Sequence, residues 1–136
     1  AVAAMKGVAV SVSPTLAIYD LSHENTPFDV WEAAYRLKQT AEFWPAGTVF
    51  VSVVDPGVGT ARKSGVLQTK TGHFFVSPDN GTLTLVAGEL GIAAVGARAV
   101  TPAEAAVTDT SGALKTVKSF IFLGNTRSST CTIADQ

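Results

Sequence analysis

The sequence predicts an α/β domain, three layers deep, with a mainly parallel central sheet. Three observations carry this. The run "VFVSVV" at 49–54 is almost wholly apolar and β-branched, as in a strand covered on both faces. Before it, Val30, Ala33, Ala34, Leu37, Thr40 and Ala41 line one face of a helical pattern over 26–45. A shorter apolar run at 16–23 precedes that helix, so strand, helix and strand follow in the order of a parallel βαβ crossover.

The elements follow in order. Residues 2–12, "VAAMKGVAVSV", fit either period, since Val2, Met5, Val8 and Val12 have helical spacing while Val8, Val10 and Val12 alternate; a helix is the preferred reading. "LAIYDLSH" at 16–23 is a buried strand ending among polar groups, and Pro45 closes the helix that follows. The central strand stops at Asp55, because Pro56 has no N–H to donate to a ladder. "GVLQTK" and "HFFVSP" form a hairpin turning at Thr71-Gly72, with His73 beside the turn and exposed. "PDNG" at 78–81 is a turn, 82–91 a short helix closed by a glycine, and 93–100 a further strand. Residues 1–100 thus form one α/β unit. The tail, 101–136, is rich in Thr, Ser and Ala, with a strand pattern only in "SFIFLG" at 119–124.

Composition narrows the function. A chain of 136 residues suits one domain with a real core. Hydrophobic residues make up 46%, charged residues 15% and the net charge is -1, which excludes a disordered chain and leaves no basic cluster for nucleic acid. Cys131 is the single cysteine, so no internal disulfide or cysteine-rich zinc site can form. No apolar run reaches about 18 residues, and the default expectation is a soluble, cytoplasmic protein without a membrane partner.

The motifs are few. "GVGTARKS" at 57–64 carries Arg62 where a phosphate-binding P-loop needs glycine, which argues against a nucleotide triphosphatase. Asn80-Gly81-Thr82 reads as a turn more readily than as a glycosylation site. His23 and His73 are placed too differently to build a metal site, and none is expected. Asp55 remains, at the carboxyl end of a central strand where open α/β sheets bind ligands, with Arg62 seven residues on. A short glycine loop can fold that arginine back onto the carboxylate. The same spacing also fits a turn-capping aspartate or a loop-closing salt bridge.

Four segments, "AAMKGV", "DLSHENTPFDVWEAA", "FWPAGTVFVSVVDPGVGTAR" and "FFVSPDNGTLTLV", resemble the S-adenosylmethionine (SAM) hydroxide adenosyltransferase family. These are adenosine-forming SAM hydrolases related to fluorinase and chlorinase. The likeness runs over residues 2–100 in the family's order. It implies a small-molecule substrate, SAM, with no separate cofactor, and a reaction in which water displaces methionine at C5′ of the ribose. It carries the family's water-holding aspartate and arginine to Asp55 and Arg62, and an aspartate there argues against a halogenase. Phe28 falls where the fluorinase has a pocket-lining tryptophan, and Gly57, Gly59 and Asn80 are the other implied substrate-binding positions. The resemblance also implies a homo-oligomer, a trimer above all. Relative to the family the domain is incomplete at both ends: a "TDFG"-like first strand, the histidine of an "FHGRD"-like segment and a smaller C-terminal β domain have no counterpart. The alternative reading is therefore a catalytically incomplete remnant that folds, oligomerises and binds adenosyl ligands weakly.

Overall fold

The computed structural model describes residues 2–57, 60–98 and 119–123. In chain order the elements are α1 (Val2–Val12), β1 (Ala17–Ser22), α2 (Val30–Ala41), β2 (Thr48–Ser52), β3 (Ser64–Thr69), β4 (Phe74–Pro78), α3 (Thr84–Leu90), β5 (Ile92–Arg98) and β6 (Ser119–Leu123). The strands form one open sheet in the order β1-β6-β2-β4-β3-β5. Pairing is parallel for β1 with β6, β6 with β2 and β2 with β4, and antiparallel for β4 with β3 and β3 with β5. The sheet is mixed. β1 and β2 run parallel, as the crossover pattern predicted, but they are not neighbours, because β6 from the tail lies between them.

The register explains the core. Leu67 pairs with Phe75 and Phe75 with Phe50, so one row of large apolar side chains crosses three strands on one face. Phe50 and Phe75 stack with ring centroids 4.9 Å apart. Onto this row α2 lays Ala33, Leu37 and Ala41, and α3 lays Val86, with Val54 filling the end. Each large side chain so buried contributes roughly 1.5–3 kcal/mol. Alanines on α2 let the helix approach, while Phe and Leu on the sheet supply the volume.

Several elements differ from expectation in extent. α2 starts at Val30 rather than at residue 26, because Asp29 caps it by accepting the N–H of Glu32 at 2.9 Å. Phe28, just before the cap, has φ +64°, outside the helical region. β2 stops pairing at Ser52, three residues before Asp55. His73 is buried, not exposed. Its Nε2 lies 2.6 Å from the carbonyl of Trp44 and its Nδ1 2.7 Å from Thr71 Oγ1, so the turn that leads into the neighbouring strand β2 encloses it. α1 is helical but buries no residue, and Lys6 ties it to β1 through Asp20 at 2.7 Å.

Candidate active site at the carboxyl edge of the parallel strands

β1, β6, β2 and β4 run the same way, so the loops after β1, β2 and β4 all leave at one edge of the sheet. Phe28 lies in the first of these loops, Asp55, Gly57 and Arg62 in the second, and Asn80 in the third. Only Gly59, of the sequence-predicted site positions, lies outside the described residues.

The second loop is organised around one carboxylate oxygen. After Ser52, Val54 plugs the core at 0% exposure and Asp55 is only 9% exposed. Pro56 turns the backbone so that the N–H of Gly57 donates to Asp55 Oδ1 at 2.8 Å, an Asx-type turn. Arg62 Nε donates to the same oxygen at 2.9 Å, and its Nη1 donates to the carbonyl of Asp79 at 3.2 Å. The guanidinium therefore bridges two acceptors and does not grip one carboxylate with two prongs. Gly57 makes this possible. A Cβ there would stand 2.6 Å from Arg62 Nε and 2.9 Å from its Cζ, so the guanidinium occupies the space a side chain would take. Among the described residues both donors to this carboxylate converge on Oδ1, and none reaches Oδ2.

In the third loop Asn80 Nδ2 donates to the carbonyl of Val54 at 2.8 Å. Asn80 Oδ1 accepts from the N–H and the hydroxyl of Thr82 at 3.1 and 2.6 Å. Sequence reasoning singled out Asn80 and its turn but gave no sign of the contact with Val54, which is 26 residues away.

The first loop is built differently. The N–H of Asp29 donates to the carbonyl of Thr26 at 3.1 Å, closing a turn with Pro27 second and Phe28 third. Proline second and a positive φ third are what a type II turn requires, yet the third place normally takes glycine. A bulky residue there costs about 1–2 kcal/mol. The turn is held by Glu32, whose Oε2 accepts the N–H of Thr26 at 2.7 Å while its Oε1 takes Arg36 at 2.7 Å. The Arg36 guanidinium, and after it Thr26, hold the Glu32 carboxyl down to about 2. Closer to the strand, Asp20 accepts from Lys6 and stands 2.8 Å from His23 Nε2. Lys6 first and His23 second lower its carboxyl below the usual aspartate range. A shallow cleft of about 270 Å³ lies between β1 and α2, lined by Asp20, Leu21, Arg36, Gln39, Thr40 and Trp44, and takes in none of the predicted site residues.

Asp55, Gly57 and Arg62 are thus brought into one cluster, with Asn80 bonded to the residue beside it. Phe28 sits on the same edge but in the loop after β1, which β6 separates from β2 in the sheet. Among the described residues no group of three or more His, Cys, Asp or Glu could hold a metal ion, and no helix is long and apolar enough to cross a membrane.

Known proteins share this arrangement of sequence. An (R)-S-adenosyl-L-methionine hydrolase of Methanocaldococcus jannaschii is 43% identical over 95 residues, covering 67% of this chain and 36% of that protein. One from Salinispora arenicola is 46% identical over 90 residues, 66% of this chain and 34% of that protein. The crystal structure of an uncharacterized conserved protein from Thermotoga maritima superposes with a TM-score of 0.68 at 44% identity, over 71% of this chain and 37% of that one. The chain therefore spans little more than a third of the length of these relatives. Residues 1–122 match the family model of the SAM hydroxide adenosyltransferase N-terminal domain, and the chain belongs to that family.

Proposed function

We propose that the chain takes part in hydrolysis of S-adenosylmethionine to adenosine and methionine. The observation that carries this reading is the Asp55–Arg62 pair, 2.9 Å apart at the open carboxyl edge, with one carboxylate oxygen left for a nucleophile. In the reaction the oxygen of water bonds to C5′ as the C5′–S bond breaks. The electron pair stays on sulfur, which leaves as a neutral thioether, and the water gives up one proton. No general acid is needed for such a leaving group.

Water's pKa of about 15.7 lies roughly 12 units above that of an ordinary aspartate, so Asp55 does not deprotonate water in the ground state. Its work is to orient the water, to accept charge as the proton loosens and to complement the cationic sulfonium. Arg62 and the Gly57 N–H hold the other oxygen, so the carboxylate cannot swing away. Phe28, on the same edge and about half exposed, offers apolar surface to an adenosyl group. No cofactor or metal takes part. The catalytic unit is a homo-oligomer, a trimer above all, and Val8, Val10 and Val12, each about half exposed on α1, supply apolar surface for it. In that assembly the sheet face bearing Val51, Val66 and Val76 takes a further layer, completing a three-layer domain.

Incubation with SAM, followed by chromatography for adenosine and methionine, tests the reading. Adenosine formation that collapses in Asp55→Asn supports it; equal formation by both proteins overturns it. The alternative outcome is a folded module that binds adenosyl ligands without turning them over. Calorimetric SAM binding with no product would select that one.

A further inference from the structure

We infer that the Asp79-Asn80 turn is the positioning element of the Asp55–Arg62 pair. The inference rests on the reading of that pair as the group that holds the nucleophile. The turn touches both halves of the pair from one short piece of backbone. The Asp79 carbonyl accepts Arg62 Nη1, and the neighbouring Asn80 carboxamide donates to the carbonyl of Val54, the residue before Asp55. The N–H of Asp79 in turn donates to the carbonyl of Lys63, the residue after Arg62, at 2.8 Å. The β2 loop is therefore pinned at three points, before Asp55, at the Arg62 fork and just beyond Arg62.

The turn is itself rigid. It follows directly on β4, which pairs with β2 on one side and β3 on the other. Both acceptor sites of Asn80 Oδ1 are taken by Thr82, which is fully buried, so the carboxamide cannot flip without losing two hydrogen bonds. Asn80 is the residue type this needs, since it accepts on one side and donates on the other within a single short planar group. Aspartate would present an oxygen to the Val54 carbonyl, and serine would be too short to reach it. Held in this way, Asp55 and Arg62 are tied to the sheet as well as to Gly57.

The test uses the full chain and two readouts. The first, free of any ligand, is the rate at which the Arg62 Nε–H proton exchanges with solvent, followed by its proton–nitrogen signal. Asn80→Ser should speed that exchange by about tenfold, the effect of losing one structural hydrogen bond. Thr82→Val, which loosens the carboxamide but keeps its donor, should speed it by about threefold. An unchanged Arg62 signal in either folded variant overturns the inference, and Thr82→Val alone decides it should Asn80→Ser fail to fold. The second readout is kinetic. A positioning residue lowers kcat, here by about tenfold to a hundredfold, with KM for SAM unchanged, and adds nothing further in an Asp55→Asn background. A raised KM with constant kcat would make Asn80 a substrate contact instead. If no variant turns over SAM, the functional reading fails while the exchange experiment still decides the role of the turn.

Discussion

Two loops leave the same edge of the sheet and are stabilised in opposite ways. After β2, the chemistry is concentrated: one carboxylate oxygen collects Gly57 N–H and Arg62 Nε, and the Asp79 carbonyl holds the guanidinium from the neighbouring turn. After β1, the charges are spent on holding backbone. Glu32 anchors Thr26, Asp29 caps α2, and the residue so constrained is Phe28 at φ +64° with about half its surface in solvent. The first design fixes a charge; the second fixes an aromatic ring in a conformation it would not choose. Strain of that kind survives only where the surroundings over-determine it, and it collects at ligand sites.

The largest expected effect falls on the β2 loop. Asp55→Asn keeps the shape but removes the charge, and should lower kcat by about 10²–10³ with little change in KM. Arg62→Lys should also be damaging, because an ammonium cannot reach Asp55 and the Asp79 carbonyl as one planar group. Rate constants for SAM turnover measure both, and a kcat for Asp55→Asn within a factor of two of the parent would reduce Asp55 to a turn residue.

Gly57→Ala sharpens the same point without touching a charge. Gly57 is not at positive φ, so alanine is tolerated by the backbone, yet its Cβ would collide with Arg62 Nε and Cζ. Loss of activity by about tenfold or more, with melting temperature nearly unchanged, is expected. Full activity would show that the guanidinium works equally well displaced.

The contrast between the loops also decides what the sequence could reveal. Asp55, Gly57 and Arg62 are close in sequence, and an apolar run ending in Asp-Pro-Gly announces where the strand stops, so the pair was legible. Asn80's partner is not local; the carbonyl of Val54 lies 26 residues away, and no pattern around "PDNG" points to it. Thr26-Pro27-Phe28-Asp29 reads as a helix start because proline suits the first turn; only the positive φ of Phe28 shows a separate turn. His73 looked exposed beside its hairpin, and Trp44, 29 residues earlier, encloses it. "SFIFLG" was recognisable as a strand, but its place between β1 and β2 depends on long-range pairing that local sequence does not encode.

A smaller effect tests the strained loop. Phe28→Gly relieves a left-handed backbone worth about 1–2 kcal/mol and loosens the unfolded chain by about 0.5–1 kcal/mol. The net expectation is a protein more stable by up to about 1 kcal/mol that binds SAM more weakly. Urea unfolding and calorimetry measure the two halves. A destabilised variant would mean that the ring, though exposed, packs productively in the folded protein.

The smallest effect is one of pH and belongs to the same loop. Glu32 titrates at about 2 in the folded protein against an ordinary 4.5, because Arg36 and the Thr26 N–H favour its charged form. Its contribution to stability is therefore complete above pH 4.5 and is lost as the pH falls from there towards 2, where the unfolded chain binds the proton first. The Asp20 carboxyl, lowered by Lys6 and His23, acts in the same direction. Both carboxylates are partly open to water, so their shares are small and should shrink further in high salt. Urea midpoints measured from pH 6 down to 2 should fall less steeply for Glu32→Gln than for the parent. Parallel curves would show that the Thr26 turn, and with it the placement of Phe28, does not depend on that carboxylate.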